Sequence, residues 1–330
     1  MDVVEGSSLT VTPGFEALEQ YRRELTAYCY RMLGSPFEAE DAVQDALLRA
    51  WKSLDRFEGR SQLRSWLYRI ATNVCLDMLA GRERRATPMD LGPARPHDAA
   101  NIGEILPEVT WIEPIPDDVV VQDSGDPAQV AVSRETIKLA FVAALQRLPP
   151  RQRAVLILCE VFNWKAKEAA DLLETSVASV NSALQRARAT IEASELAAEE
   201  TPGSVDEADR DLLQRYVEAF ERYDMEALTS LIAEDATQSM PPYEMWLSGR
   251  EQILGWWLGR GIGCKGSRVL PTRMANGSPA FGQYKPSPDG GYEPWALQVL
   301  EIEDGKIVEL TFFLATETIF PLFGLPPRLD

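Results

Sequence analysis

Residues 148–192 constrain the fold of this chain more than any other stretch, because they predict three short helices with a turn at 174–176 between the last two. In the final helix the apolar residues recur every three or four positions and so share one face. The opposite face carries short polar side chains rather than a run of charges. Such a helix suits the major groove of DNA, although an ordinary amphipathic hairpin has the same pattern. The apolar residues are Val177, Val180, Leu184, Ala187 and Ile191, and the polar ones are Ser179, Ser182, Gln185 and Arg186.

The charge of the chain is unevenly distributed. The 330 residues carry a formal net charge of −18, which opposes binding to phosphate. Residues 134–193, however, hold nine basic and six acidic side chains, whereas residues 96–133 hold eight acidic and no basic ones. The overall charge therefore does not exclude DNA binding by the basic segment, but it predicts weak binding by the isolated chain.

Several classes of protein are disfavoured by composition. The four cysteines are far apart and form no C-x-x-C pair, which argues against a zinc site or a disulfide framework and fits a reducing, cytoplasmic location. The single histidine, His97, leaves little scope for histidine-based catalysis. No apolar run approaches the length of a membrane span, and the acidic N-terminus does not resemble a signal peptide. We expect no cofactor, no metal and no membrane contact.

The N-terminal third of the chain predicts only helices. Apolar spacing indicates helices over 14–33, 36–54 and 63–85. The second of these begins with Ser35 as N-cap, and Glu38 completes a capping box. This block is therefore predicted to be all α.

Two stretches are predicted as linkers. Residues 87–130 are acidic, rich in proline and aperiodic, and residues 195–206 contain a Pro-Gly-Ser break. Within the first, the apolar island WIEPIP at 111–116 is expected to dock on another surface. A helix over 128–148 leads into the three helices described first.

The pattern changes from about residue 207. Two helices, a strand near 236–240 and a third helix opening with a capping box at Ser248 precede four further strands. Asp304-Gly305 is a strong hairpin signal between the last two. Helices followed by an antiparallel meander predict an α+β domain. The helices lie at about 207–222 and 225–233, the four strands near 267–275, 279–285, 292–303 and 306–315, and an apolar tail at 320–325 needs a surface to cover.

Three motifs in order make a family resemblance specific. AEDAVQDALLRAW (39–51), SWLYRIATNVCLDML (65–79) and the segment 148–192 resemble regions two and four of bacterial RNA polymerase sigma factors of the extracytoplasmic-function group. The rest, with YVEAFERYDMEALTSLIAEDA, resembles the cone-shaped SnoaL-like domains related to nuclear transport factor two. The implied organisation is region two over 12–86, a linker over 87–130, region four over 131–194, a linker over 195–206, and a SnoaL-like regulatory domain over 207–330.

The resemblance implies a polymerase contact on the helix at 39–51. The positions that match the family's contact with the polymerase clamp lie on the polar face of a helix whose other side is apolar, and region four would meet the polymerase flap. The alternative is a solvated face with ion pairs inside the helix. The four positions are Asp41, Gln44, Asp45 and Arg49.

The loop at 56–62 and the helix after it match the segment that melts the −10 promoter element. Opening DNA requires a groove for a single strand and a pocket for an extruded base. For Asn73 and Asp77 the alternative role is capping or ion pairing within the protein. Trp66 falls in the apolar stripe of the helix over 63–85, which predicts a core position for it. The implied −10 residues are Phe57, Arg60, Ser61, Gln62, Asn73, Asp77 and Arg82.

The final helix of region four matches the reader of the −35 element. Arg186 is the candidate for a guanine contact, Gln185 for adenine and Arg188 for phosphate. Asn181 and Ala183 stand where many relatives have Arg or Lys, which predicts weaker unaided binding with a shallower salt dependence. The implied −35 residues are Ser179, Asn181, Ser182, Gln185, Arg186 and Arg188.

Two roles are open for the C-terminal domain. One is regulation of the sigma domains, with an unknown small ligand or an anti-sigma partner; the other is residual isomerase or cyclase chemistry, for which no carboxylate stands out as a base. A different alternative for the whole chain is a helix-turn-helix regulator that binds operators alone. Sigma activity without catalysis is the prediction, and the candidate ligand pocket is formed by Tyr243, Trp246, Trp256 and Trp295.

Overall fold

The computed structural model describes residues 14–57, 62–99, 102–121, 127–192 and 207–330. Two helical blocks come first, and a block of helices and one sheet follows. This order agrees with the predicted fold class. Within the described ranges, no helix combines the length and apolar character needed to cross a membrane.

The first block is helical, as predicted, but its helices are shorter than the apolar spacing indicated. The predicted helix over 14–33 is interrupted at Gln20 and Tyr21. The predicted helix over 63–85 ends at Leu79, and Gly81 then has a φ of +74° that a helix cannot continue. The four helices are α1 (Phe15–Glu19), α2 (Arg22–Leu33), α3 (Pro36–Lys52) and α4 (Leu63–Leu79).

The junction between α2 and α3 follows the predicted signals only in part. Gly34 ends α2 with a φ of +74°, and its amide donates to the carbonyl of Tyr30 at 2.7 Å. The Ser35 hydroxyl caps α3 by accepting from the amide of Glu38 at 3.3 Å. The Glu38 carboxylate does not complete a capping box there, since it pairs with Arg82 at 2.5 Å and with Arg85 at 3.2 Å.

The segment predicted as a linker is packed against both of its neighbours. The Arg95 amide donates to the Trp246 carbonyl at 2.9 Å, so this part runs along the C-terminal block, and the Ile112 amide donates to the Ala86 carbonyl at 3.2 Å in the first block. All six residues of WIEPIP are buried, which confirms that this island docks. The segment contains the short helices α5 (Pro88–Leu91) and α6 (Asp117–Val120).

The second block contains the helix-turn-helix. The predicted single helix over 128–148 is wrong, because the chain forms two helices with a break near Thr136. At this break the guanidinium of Arg31 donates a hydrogen bond to the Thr136 carbonyl at 3.1 Å. The predicted turn is confirmed, with Glu174 at a φ of +52°. The helices are α7 (Pro127–Glu135), α8 (Leu139–Gln146), α9 (Pro150–Leu156), which runs into a π-helical turn at Ile157–Val161, α10 (Ala166–Leu172) and α11 (Val177–Glu192).

The two helical blocks share one hydrophobic core. Tyr28 and Tyr68 of the first block contact Phe162 of the second edge-on, with ring centroids 6.2 and 5.7 Å apart. The guanidinium of Arg31 is fully buried between the blocks and donates to the Thr136 hydroxyl at 2.8 Å. Burial of this cation lowers its pKa to about 10. The blocks are therefore joined by buried polar contacts as well as by apolar packing.

The C-terminal block is built on a six-stranded mixed sheet in the order β2-β1-β6-β5-β4-β3. The predicted meander of β3 to β6 is antiparallel, whereas β1 pairs with β6 in parallel. The predicted capping box at Ser248 is absent, because Gly249 occupies the N-cap position without a side-chain bond. The elements are α12 (Glu207–Arg222), α13 (Met225–Leu231), β1 (Ile232–Ser239), β2 (Trp246–Ser248), α14 (Arg250–Leu258), β3 (Arg268–Pro271), β4 (Ala280–Pro286), β5 (Tyr292–Glu303), β6 (Lys306–Phe313) and α15 (Thr316–Leu322).

Both faces of this sheet are covered. The inner face packs on α12 and α14 through Tyr216, Phe220 and Trp257. The outer face, which carries Val299 and Phe313, packs on α15 and on the flanking apolar tail, so the expected covering role of that tail is confirmed. Leu139 of α8 also packs on the outer face, which brings the helix-turn-helix block against the sheet.

Candidate functional surfaces

The polar face of α3 is exposed and internally paired. Asp41 and Gln44 point to solvent, and Asp45 forms an ion pair with Arg49 at 2.7 Å. Arg49 also lies 3.7 Å from Asp77 of α4, which links the two helices. The hydrogen bond to Asp45 raises the pKa of Arg49. The intrahelical pairing expected for a solvated face is thus present, and each of these groups remains accessible to a partner.

The candidate −10 residues do not share one environment. Phe57 packs half-buried against Trp66, with ring centroids 5.0 Å apart, while Gln62 is exposed just before α4. Asn73 and Asp77 are exposed on α4. Arg60 and Ser61 lie outside the described residues. Arg82 is held by Glu38, so it is a less available cation than the sequence indicated.

The polar face of α11 is exposed along its whole length. Its six candidate −35 residues all point to solvent, whereas Val180 and Ala187 on the other side are fully buried. Arg186 donates to the Ser182 hydroxyl at 2.7 Å, so these two side chains form one hydrogen-bonded unit. Val177, predicted to be inward, is 41% exposed because it begins the helix. The exposed residues are Ser179, Asn181, Ser182, Gln185, Arg186 and Arg188.

Arg188 differs from the other five residues because its partner is a charged side chain. Its guanidinium forms an ion pair with Glu160 in the π-helical turn. Both side chains are largely exposed, so the pair is weak and can be exchanged for a phosphate. The stripe of exposed hydrogen-bonding groups therefore centres on Gln185 and on Arg186, whose partner Ser182 lies in the same helix.

Sequence reasoning missed an apolar surface next to the candidate polymerase contact. Phe15 of α1 and Trp51 of α3 pack edge to face at 5.6 Å, yet Trp51 remains 47% exposed. Leu48 is exposed to a similar extent one turn away. Helical spacing places Trp51 on the same face as the buried Val43 and Leu47, so the sequence alone predicts a core position for it.

A second missed feature joins the helix-turn-helix to the candidate −10 helix. Arg69 of α4 donates to the Asp171 carbonyl at 3.0 Å and lies 3.7 Å from Glu174 in the turn. Arg64 of α4 stacks on Trp164, with its guanidinium carbon 5.1 Å from the ring centroid. Helix α4 thus contacts the helix and the turn that precede α11.

Sequence reasoning also missed Asn276, whose side chain connects three parts of the chain. It lies in a turn before β4 and is fully buried. Its amide nitrogen donates to the Tyr30 hydroxyl and to the Ile137 carbonyl, both at 2.6 Å. Its amide oxygen accepts from the Ile115 backbone at 2.9 Å. One side chain of the C-terminal block therefore bonds both helical blocks and the segment between them.

The candidate aromatic pocket does not correspond to a cavity found in the described part. Trp256 is buried in the inner core, and Trp246 donates to the Gly92 carbonyl at 2.8 Å. Trp295 is 40% exposed on the surface, and the ammonium group of Lys285 lies over its ring. Tyr243 forms an isolated antiparallel β-bridge with Ile105 of the linker. A ligand pocket at these four residues remains a prediction without support from the cavities.

The half-buried carboxylates of the sheet pair with neighbouring groups. Glu301 binds the Ser278 hydroxyl and lies 3.8 Å from Lys138, which precedes α8. Burial raises the pKa of Glu301 to about 7 and also raises the pKa of Glu309. Both side chains belong to the outer face of the sheet rather than to an inner pocket of the kind that isomerase chemistry uses.

Comparison with protein families agrees with this organisation. The Sigma-70 region 2 model matches residues 17–85, a Sigma-70 region 4 model matches 138–191, and the SnoaL-like domain model matches 213–310. The helical blocks and the sheet block are therefore the two sigma regions and the SnoaL-like domain.

Individual sigma factors are similar to this chain over nearly its whole length. The chain is 45% identical over 320 residues to the ECF RNA polymerase sigma factor SigG of Mycobacterium tuberculosis, covering 94% of this chain and 83% of that protein. It is 28% identical over 312 residues to SigJ of the same organism, covering 90% and 89%. The crystal structure of SigJ superposes with a TM-score of 0.60 at 22% identity, over 95% of this chain and all of that one, which shows the shared fold.

These matches define a sigma factor, a subunit that brings core RNA polymerase to promoter DNA and starts transcription. The chain belongs to the extracytoplasmic-function sigma factors and carries a C-terminal SnoaL-like domain. The match to region two as well as region four favours this class over a helix-turn-helix regulator acting alone.

Proposed function

We propose that α3, α4 and α11 carry the polymerase, −10 and −35 contacts, and that the SnoaL-like domain holds these surfaces in a closed arrangement that cannot engage a promoter. Asn276 is the observation that carries the proposal, since its side chain alone bonds both sigma regions and the linker. The domain then acts as a built-in inhibitor of its own sigma regions.

The distance between the DNA-binding helices supports a closed state. Two elements centred about 25 base pairs apart are separated by about 85 Å of B-form DNA, at 3.4 Å per base pair. In α4, Asn73 lies one helical turn after Arg69, and Arg69 contacts Glu174 of the turn before α11. Gln185 of α11 lies eleven residues after Glu174 in the chain. Helix rise, chain length and side-chain reach limit the distance from Asn73 to Gln185 to about 45 Å. The sigma regions therefore have to separate before both elements are bound.

Asn276 opposes that separation because its bonds are buried. Moving the C-terminal domain away from region two leaves the Tyr30 hydroxyl without its donor, and moving it from region four does the same to the Ile137 carbonyl. An unsatisfied buried polar group costs about 1–3 kcal/mol unless water reaches it. The contact stabilises the closed arrangement by a modest amount that polymerase binding can overcome.

The outer face of the sheet supports the same conclusion. Leu139 of region four and the carboxylate of Glu301, 3.8 Å from Lys138, connect α8 to this face. The linker also contacts the C-terminal domain, since the Asp117 amide donates to the Met274 carbonyl at 3.0 Å. The turn at 274–277 is thus held by the linker and by region four together.

The test is promoter-directed run-off transcription with purified core polymerase and the variant Asn276→Gly. Glycine adopts the φ of +54° found at this position without strain, so the variant removes the side chain and its bonds without straining the backbone. We expect transcription at limiting sigma concentration to rise about fivefold, as loss of about 1 kcal/mol of closed-state stability predicts. Asp304→Gly, an exposed turn residue of the same domain with a φ of +48°, is the matched control.

Deletion of the domain extends the test. Truncations ending within 193–206 remove the SnoaL-like domain and are expected to change promoter output relative to the full chain. Unchanged output for Asn276→Gly and for every truncation would remove the inhibitory role while leaving the sigma activity in place. Gel-shift assays with and without core polymerase then test the sigma surfaces, because equal binding in both would contradict them.

A further inference from the structure

A cavity of about 530 Å³ lies where the linker meets the SnoaL-like domain. One wall is the linker at 105–113, the second is the turn Pro241-Pro242 after β1, and the third runs from Phe313 at the end of β6 to Ile319 in α15. This volume lies within the range of about 300–1,000 Å³ that is typical of small-molecule sites. It is separate from the inner core of the domain.

The backbone around the cavity is fixed by hydrogen bonds to the proline turn. The Leu106 amide donates to the Pro242 carbonyl at 3.1 Å, and the Leu314 amide donates to the Pro241 carbonyl at 2.9 Å. The linker wall and the α15 wall are thereby held on opposite sides of one turn. A cavity with fixed walls needs little ordering when a ligand enters, which favours affinity.

The cavity is lined mainly by apolar side chains and by three carboxylates. Most of the lining consists of proline, leucine, isoleucine and aromatic side chains, such as Ile112 and Trp111. Its charged members are all acidic, and none of its described lining residues is basic. The three carboxylates are Glu108, Glu113 and Glu317.

Glu113 is the carboxylate with unmet bonding capacity. It is only 5% exposed, and its Oε2 atom has no hydrogen-bond partner among the described residues. Arg85 approaches that oxygen to 3.6 Å, which is too long for a hydrogen bond. Burial raises the pKa of Glu113 to about 7 despite this neighbouring cation. A donor from a ligand at this wall would give this oxygen the hydrogen bond that Arg85, at ion-pair distance, does not supply.

We propose that this cavity binds an apolar organic amine, with the ammonium group at Glu113 and the hydrocarbon body between the proline turn and α15. Charge complementarity selects the amine, because three carboxylates line the cavity and, among the described residues that line it, no cation does. The site goes beyond the inhibitory role proposed above. Since its walls come from both the linker and the SnoaL-like domain, a bound ligand stabilises their contact and raises the melting temperature.

The probe is dansylcadaverine, a naphthalene fluorophore with an alkylamine, titrated into the full-length protein at pH 8. Dansylglycine, which has the same fluorophore and a carboxylate, is the matched ligand control. We expect saturable binding with a blue-shifted emission for the amine and at least about tenfold weaker binding for the acid, as a charge-assisted hydrogen bond requires. Glu113→Gln is expected to weaken amine binding about tenfold.

A second variant tests the position of the site independently of Glu113. Ala315 is an exposed lining residue, so Ala315→Phe fills the cavity without disturbing the core. We expect it to abolish saturable binding, whereas Leu258→Phe, at an exposed residue of α14 outside the cavity, leaves binding unchanged. Absence of saturable amine binding, or binding that Ala315→Phe does not alter, would overturn the proposal. No polymerase is used, so this outcome is independent of the inhibition experiment.

Discussion

Polar side chains serve opposite purposes on the face of α11 and around Asn276. On α11 the bonds are local and exposed, as in the 2.7 Å contact between Arg186 and Ser182 one turn apart. Around Asn276 they are buried and join residues more than 100 positions apart in the chain. Exposed local bonds contribute a few tenths of a kcal/mol and exchange readily with a partner. Buried bonds are costly to leave unmade, so they hold domains together.

The contrast between exposed and buried hydrogen bonds distinguishes surfaces that can bind external partners from surfaces that hold parts of the chain together. The pairs on α3 belong with those of α11, since Asp45 and Arg49 are both accessible. The contact of Arg69 with Glu174 is intermediate, because it joins two domains but is half-exposed. Substitutions in each group should therefore affect transcription in different directions.

The largest effect is expected for Asp45→Arg on α3. The change places a second cation beside Arg49 and reverses the charge offered to a basic polymerase surface. Losing such a charged contact costs about 3 kcal/mol, which predicts a roughly 100-fold loss of run-off transcription. The melting temperature should stay within a few degrees of the wild type, because Asp45 is not a core residue. Normal transcription from a folded variant would refute the polymerase assignment, and Glu40→Arg on the same helix is the control.

Arg186→Ala on α11 is expected to have the next largest effect. Loss of a bidentate base contact costs about 1–3 kcal/mol, and the loss should depend on the base at one −35 position. Transcription from a panel of −35 variants measures this. Arg188→Ala should reduce output from every promoter in the panel to a similar, smaller extent, as loss of a phosphate contact predicts. Uniform loss for Arg186→Ala would contradict the guanine assignment.

The pH dependence of stability sharpens the internal side of the comparison. Burial raises the pKa of Glu113 from 4.5 to about 7, so the folded chain binds this proton more tightly than the unfolded chain does. The contribution of Glu113 is therefore fully present below the unfolded pKa of 4.5 and is lost as the pH rises from there to the folded pKa of about 7. Relative to Glu113→Gln, which does not titrate, the wild type should lose about 1–3 kcal/mol of unfolding free energy between pH 5 and pH 8.

Urea unfolding of both proteins at the two pH values measures this difference. Titrations of all other groups largely cancel in it. Glu40→Gln, which removes an exposed carboxylate, is the control variant. A difference that stays constant between pH 5 and pH 8 for Glu113→Gln would mean that burial does not raise the pKa of Glu113.

Much of the fold was predictable because its signals are local. The turn of the helix-turn-helix, the N-cap at Ser35 and the hairpin at Asp304-Gly305 all follow from residues within four positions of each other. The predicted helix over 128–148 was wrong for a reason that is not local. Arg31, about 100 residues earlier, occupies the carbonyls at which that helix breaks.

The candidate surfaces follow the same division. The exposure of the α11 polar face follows from helical periodicity, so its candidate residues could be chosen from sequence. Asn276-Gly277 signals a turn, but no pattern indicates that its side chain reaches Tyr30. The cavity at Glu113 was equally hidden, because its walls come from three separate segments. The aromatic residues predicted to form a pocket were selected by type alone, and type does not specify where a void lies.

The smallest effect is expected for Arg69→Ala, at the contact between region two and region four. The Arg69 side chain is 39% exposed and that of Glu174 is 77% exposed, so the ion pair is screened by solvent. Its loss should weaken the closed arrangement by less than about 1 kcal/mol and raise transcription at limiting sigma concentration by up to about fivefold. Arg151→Ala, which removes an exposed cation of region four, controls for the change in charge. The sign of the effect is decisive. Reduced transcription from Arg69→Ala would mean that Arg69 acts on promoter DNA, and this contact would then belong with the surfaces that serve external partners.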